Sequence, residues 1–296
     1  MGIDAAHYHP WGGRLRSPWR AVGAIVRVSL LQVFRRKAYW VLLALGLLVF
    51  VFYWAIIYAL TQMQLPERMQ QQMLLSFGFS PTADDPQNTG YLDFMEQQSL
   101  IVMIILAFCG SLLVGADFRG GVIPFYLSRR IDRRHYIVGK LLSVAALIWL
   151  LTVVPALLLF IEYGLFTTSY EYWFDNWRIV PALLGYGLVL GGVPAVWTVC
   201  LAAYLQKPAP IAVTWASLFV LLFRLSTFLR DWSGDRAWLL LDPWRDLRLA
   251  GRLFFGEFRQ EADRDLSLQA AGLLAGITAV ALVLLVRRVR AVEVAT

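Results

Sequence analysis

From Tyr39 to Leu60 the chain reads YWVLLALGLLVFVFYWAIIYAL, without one charged side chain. Roughly 20 apolar residues in helical form are long enough to cross the hydrocarbon core of a bilayer. Five more runs reach that length, at about 97–116, 141–163, 179–204, 210–229 and 266–286. The expected fold is an all-α integral membrane protein with six transmembrane helices, a single transmembrane domain over 1–296. Composition agrees. The chain is 59% hydrophobic and 16% charged, against about 45–50% and about 25% in soluble domains, and its mean hydropathy is +0.60. The first apolar run begins near 39 and is too long for the core of a cleavable signal peptide, so none is expected. Cys109 and Cys200 both fall inside apolar runs and are expected to be free, packed thiols.

Charge sets the direction of the spans. Segments 1–38, 117–140, 205–209 and 287–296 hold 17 Lys+Arg and 4 Asp+Glu. Segments 61–96, 162–178 and 230–265 hold 9 Lys+Arg and 16 Asp+Glu. Basic short loops stay on the cytoplasmic side, so both termini and 117–140 are expected there, in a multi-pass cell-membrane protein. The same asymmetry accounts for the pI of about 9.6 without invoking nucleic acid. With Glu162 counted in the outer segment, Arg224 is the ionised side chain left at depth. An intramembrane charge is a functional candidate, here for a substrate path. Snorkelling of its long side chain toward the nearby boundary is the competing explanation.

Two stretches outside the spans look amphipathic. In SPWRAVGAIVRVSLLQVFRRK, Ser17 suits an N-cap and Pro18 the first helical position. Arg20, Gly23, Ala24 and Arg27 share one face, and Val22, Ile25, Val26 and Leu30 the other. Such a helix would lie along the membrane surface, or else simply extend the first span. In DPWRDLRLAGRLFFG (242–256), Asp242 can cap and Pro243 can start a helix. Trp244, Leu247, Phe254 and Phe255 would face one way and Arg245, Arg248 and Arg252 the other. An external surface helix, or plain packing on the ends of the spans, would follow. Residues 62–75 are polar and Gln-rich, with at least a helical turn, and 81–90 is rich in turn residues.

Several chemistries lack their residues. His7, His9 and His135 all fall on the cytoplasmic side, and the HxH pair is too few ligands for a metal. No HExxH or GxSxG occurs, and GxxxxGK[ST] is missing, so the chain has no Walker loop for ATP. No acid–base–nucleophile set lies in the spans, so an enzyme is not expected. Gly187 with Gly191, and Gly272 with Gly276, have the small-xxx-small spacing that lets helices approach closely.

One segment departs from a bare connector. DFRGGVIPFYLSRRIDRRHYIVGK (117–140) holds five arginines and one lysine against two aspartates. Gly120 and Gly121 should break the helix, Pro124 can open a short helix VIPFYLS, and Asp132 can cap the third span. Phe125, Tyr126 and Leu127 would then stand in the cytoplasm, where exposed apolar side chains point to a partner. Anchoring of lipid headgroups by the arginines, with the aromatics dipping into the interface, is the alternative.

The pattern at Asp117, Arg119, Gly121, Leu127, Ser128, Ile131, Arg133, Gly139 and Lys140 resembles ABC-2 type permeases, the membrane subunits of ABC exporters, and within them the permeases of nitrous oxide reductase maturation. This chain has Gly121-Val122 and Arg129-Arg130 where the group commonly has Gly-Thr and Arg-Pro or Lys-Pro. The resemblance implies that 117–140 carries a cytoplasmic coupling helix docking on a separate ATP-binding cassette subunit. Asp117, Arg119, Gly121, Phe125, Tyr126, Leu127 and Arg133 would serve that coupling. It further implies a second permease copy, alternating access, ATP and Mg bound only by the partner, and no cofactor, metal or catalytic residue in this chain. A non-transporting scaffold that recruits an ATPase, or less readily a membrane-embedded enzyme, are the other classes.

Overall fold

The computed structural model describes residues 19–79, 89–121, 132–167, 170–256, 258 and 261–294. Among these there is no strand. Six helices are long and apolar enough to cross a membrane: Lys37–Gln62, Gly90–Arg119, Arg133–Phe166, Ile179–Leu205, Pro208–Ser233 and Asp263–Arg290. They match the six apolar runs and mark an all-α, multi-pass membrane protein. Helices suit hydrocarbon because each backbone N–H and C=O finds its partner within the segment. The observed helices outrun the apolar stretches at several ends, chiefly because flanking polar residues find partners on neighbouring helices.

In chain order, α1 is Trp19–Phe34, α2 is Lys37–Gln62 and α3 is Glu67–Phe77. The second span comprises α4 (Gly90–Gly110), a π-helical turn over Ser111–Gly115 and the short α5 (Ala116–Arg119). The third comprises α6 (Arg133–Leu151) and α7 (Val153–Phe166). They meet at Thr152, where φ of −110° and ψ of −68° distort the helix without leaving the right-handed helical region. Pro155 explains the distortion: it has no N–H for the Leu151 carbonyl, and its ring crowds that group. Thr152 Oγ1 donates back to Ile148 O at 2.8 Å. After a short α8 (Glu171–Asp175) comes the fourth span, α9 (Ile179–Leu205), with Pro194 inside it. The fifth comprises α10 (Pro208–Ala216), a second π turn (Ser217–Leu221) and α11 (Leu222–Ser233). A 3-10 helix (Arg236–Leu241), α12 (Pro243–Phe255) and α13 (Glu261–Val294) complete the chain.

The core gathers around the second, third and fourth spans. Gly187 of α9 lies against Val153, and Gly191 against Trp149, whose indole donates to Gly187 O at 2.8 Å. The other small-residue pair behaves differently: Gly272 and Gly276 of α13 have nothing within 4 Å of where a Cβ would stand. Cys109 and Cys200 are free and buried, as expected.

The segment 242–256 forms a helix where Asp242 and Pro243 said it would, with Asp242 Oδ1 accepting from Trp244 N at 3.1 Å. Its placement corrects the surface expectation. Asp242, Pro243, Asp246, Leu247, Leu249, Ala250 and Gly251 are buried, and Arg248, partly exposed, pairs with Glu96 and Asp93 of the second span. The start of α12 shares a cavity with Trp197 and Cys200 of α9 and with Leu218 and Leu222, near the middle of the fifth span. Its far end lays Phe254 on Gly185. From 185 to 197 along α9 is about 18 Å at 1.5 Å per residue. So the chain runs back beside α11 from Gly234, reaches mid-bundle at Asp242, and climbs out again along α9.

Candidate functional site

The two ends of the basic segment 117–140 meet. Lys140, only 4% exposed, places Nζ 2.8 Å from Asp117 Oδ2 and donates to Leu113 O at 2.6 Å and to Ser29 Oγ at 3.5 Å. Tyr136 Oη donates to the same Asp117 oxygen at 3.0 Å. The ammonium thus has a partner for each of its three protons, which a buried cation needs. Leu113 lies in the π turn, where the carbonyls depart from the regular α ladder. Gly139 lets α1 approach closely: a Cβ there would meet Ile25 at 3.0 Å. Trp19 stands edge-on to His135, ring centroids 4.8 Å apart. With Val22, Ile25, Ser29 and Val33 of α1 buried, the junction ties α1, α5 and α6 together.

Of the expected site residues, Asp117 is brought into this junction. Arg119 is exposed at the end of α5 and Arg133 begins α6. Gly121 has φ +61°, a left-handed turn that glycine adopts without strain. Asp132 occupies the N-cap position of α6 in extended backbone, but its side chain makes no capping bond. Phe125, Tyr126 and Leu127, with Ser128, Arg129 and Arg130, lie outside the described residues, as do Ser17 and Pro18. Arg224 is not part of the junction. It is exposed on α11, with its guanidinium 5.8 Å from the centre of the Phe223 ring.

Pattern reading missed Lys140 as the buried partner of Asp117. The available signal was a lysine seven residues into the third helix, where it cannot reach solvent without leaving the bundle. It also missed Glu162. Counted with the outer segment, this residue sits in α7, buried, and neither carboxyl oxygen has a hydrogen-bond partner among the described residues.

A second polar cluster lies at the opposite end. Arg248 of α12 pairs with Glu96 at 2.8 Å and with Asp93 at 3.5 Å. Gln97 Nε2 donates to Tyr53 Oη at 2.8 Å, and the Tyr91 and Tyr172 hydroxyls are 3.1 Å apart. At the buried start of α12, desolvation pushes the Asp246 carboxyl up to about 8, with the Asp242 carboxylate adding to it and Arg245 opposing. Burial also raises Asp242, while backbone N–H groups of Trp244 and Arg245 hold it down. Among the described residues no group of three His, Cys, Asp or Glu side chains could hold a metal.

The chain matches no protein-family model, and no curated protein matches it.

Proposed function

We propose that this chain is the permease subunit of an ATP-driven ABC exporter, coupled through residues 117–140 to a separate ATPase subunit. The observation that carries the reading is the Asp117–Lys140 ion pair. It joins the two ends of the basic segment, at Asp117 and Lys140, in one buried junction. A displacement of that segment is then delivered together to α1 and to the second and third spans. Phe125, Tyr126 and Leu127 supply the apolar contact with the ATPase, and Arg119 and Arg133 position the segment.

In this reading both termini are cytoplasmic and α1 packs along the third span from Trp19 at His135, with Arg20 and Arg27 exposed. A second permease copy completes the path, and the exposed flanks of the first, fifth and sixth spans are available to it. Arg224 on that flank is the candidate for contact with cargo. ATP and Mg bind to the partner subunit.

Affinity purification of the tagged chain from its own host tests this directly. An ATPase bearing Walker motifs is expected to co-purify. Phe125→Ala with Leu127→Ala removes two apolar side chains worth roughly 1.5–3 kcal/mol each when fully buried. ATPase association should therefore weaken at least about tenfold. Neutralising Arg129, Arg130 and Arg134 should matter less, and its effect should fade at high salt. Full ATPase recovery by the Phe125/Leu127 variant would sink the coupling assignment.

A further inference from the structure

We propose that the cavity at the buried start of α12 binds an amphiphilic amine, a molecule with an apolar body and one protonated nitrogen, and that Asp246 is the residue that holds the nitrogen. This inference stands apart from the transport reading and survives its failure.

The cavity has a volume of about 360 Å³, within the range of roughly 300–1,000 Å³ typical of small-molecule sites. Its walls come from α9, the fifth span, the 3-10 helix, α12 and α13, and the described lining is apolar apart from the Trp197 indole N–H, the Cys200 thiol and the Asp246 carboxyl. Asp246 is 2% exposed, and its Oδ1 has no hydrogen-bond partner among the described residues. A buried carboxyl without a donor costs free energy that a ligand donor recovers.

The contrast with Asp117 is direct. There the chain supplies its own cation, Lys140, whereas among the described residues no lysine or arginine lines this cavity. Arg245, the neighbour of Asp246 along α12, is not among the lining residues. Burial disfavours the Asp246 carboxylate when it stands alone, so its ionised form needs a cation beside it, which a bound ammonium supplies. An anion would meet the Asp246 carboxyl and no cationic side chain among the lining residues described. A neutral alcohol would make one ordinary hydrogen bond where an ammonium makes a stronger charge-assisted one. Leu241, Leu273 and Ile277 line the cavity and are exposed, so the site opens sideways, as a membrane-borne amphiphile requires.

The test uses the purified full chain in a non-ionic detergent. Native mass spectrometry counts bound 1-dodecylamine, 1-dodecanol and dodecanoate across a titration. One dodecylamine per chain is expected, retained at least about tenfold more tightly than dodecanol, with dodecanoate not retained. Asp246→Asn should bring the amine down to the level of the alcohol. Leu274→Trp, which fills the cavity, should abolish both. Equal retention of amine and alcohol by the native chain overturns the proposal, as does unsaturable amine uptake or an amine preference that persists in Asp246→Asn. Should either variant fail to fold, the three-ligand series on the native chain decides by itself.

Discussion

The second, third and fourth spans bury 65, 56 and 56% of their most apolar window inside the protein, while the first, fifth and sixth bury 22, 17 and 17%. All six pass as membrane-crossing by length and apolarity. Apolarity therefore does not decide which helix goes inside. In lipid it cannot, because a leucine gains little by exchanging hydrocarbon for another leucine. Close packing of small residues and polar ties do the sorting. Gly187 and Gly191 of the fourth span receive Val153 and Trp149 of the third, and Lys140 and Asp117 bind the third to the second. In the sixth span, Gly272 and Gly276 face open space.

The most severe way to break the inner group is to orphan a charge. Lys140→Met leaves Asp117 largely buried without its cation, and removing one partner of a buried pair typically costs about 3–5 kcal/mol. Thermal unfolding in detergent should show a large loss. Asp117→Leu combined with Lys140→Met should recover most of it, since an apolar pair carries no unpaired charge. A double variant as unstable as the single would mean that packing, not charge, holds the junction.

Glycine substitution sharpens the contrast at two sites of equal spacing. Gly191→Ala must displace Trp149 and disturb its bond to Gly187 O, an overpacking cost of about 1–3 kcal/mol. Gly276→Ala meets nothing within 4 Å among the described residues and should stay within about 0.5 kcal/mol in the isolated chain. Unfolding midpoints of the two variants should differ accordingly. Equal midpoints would erase the distinction between the groups.

A pH-dependent effect concerns α12, which joins the inner group from the far side. A carboxyl pushed up to about 8 by burial, against about 3.9 in an unfolded chain, resists ionisation in the fold. Its contribution to stability is greatest at low pH and declines as pH rises from about 4 toward 8. Asp246→Asn mimics the protonated form. Its unfolding midpoint should match the parent near pH 4 and exceed it near pH 8, and a constant offset at both would exclude Asp246 as the titrating group.

The six spans could be read from the chain because their signal is local: twenty apolar residues suffice. The start of α12 was readable for the same reason, since Asp242 and Pro243 act on the next turn. Its position was not. Sorting its arginines onto a solvent face assumed water on one side, but Arg248 answers carboxylates 155 and 152 positions earlier in the chain. Asp117 and Lys140 both stood in the motif, yet their pairing depends on how two helices lie side by side. No spacing rule reports that.

The same long reach fixes an order of events during synthesis. Asp93 and Glu96 emerge with the second span, but Arg248 follows Asp93 by 155 residues. At about 5–20 residues per second, those carboxylates wait roughly 10–30 s for their partner. Likewise α1 is made first, but Ser29 meets Lys140 only 111 residues later. The earliest described helix, α1, is therefore seated against Lys140 only after the third span has followed it.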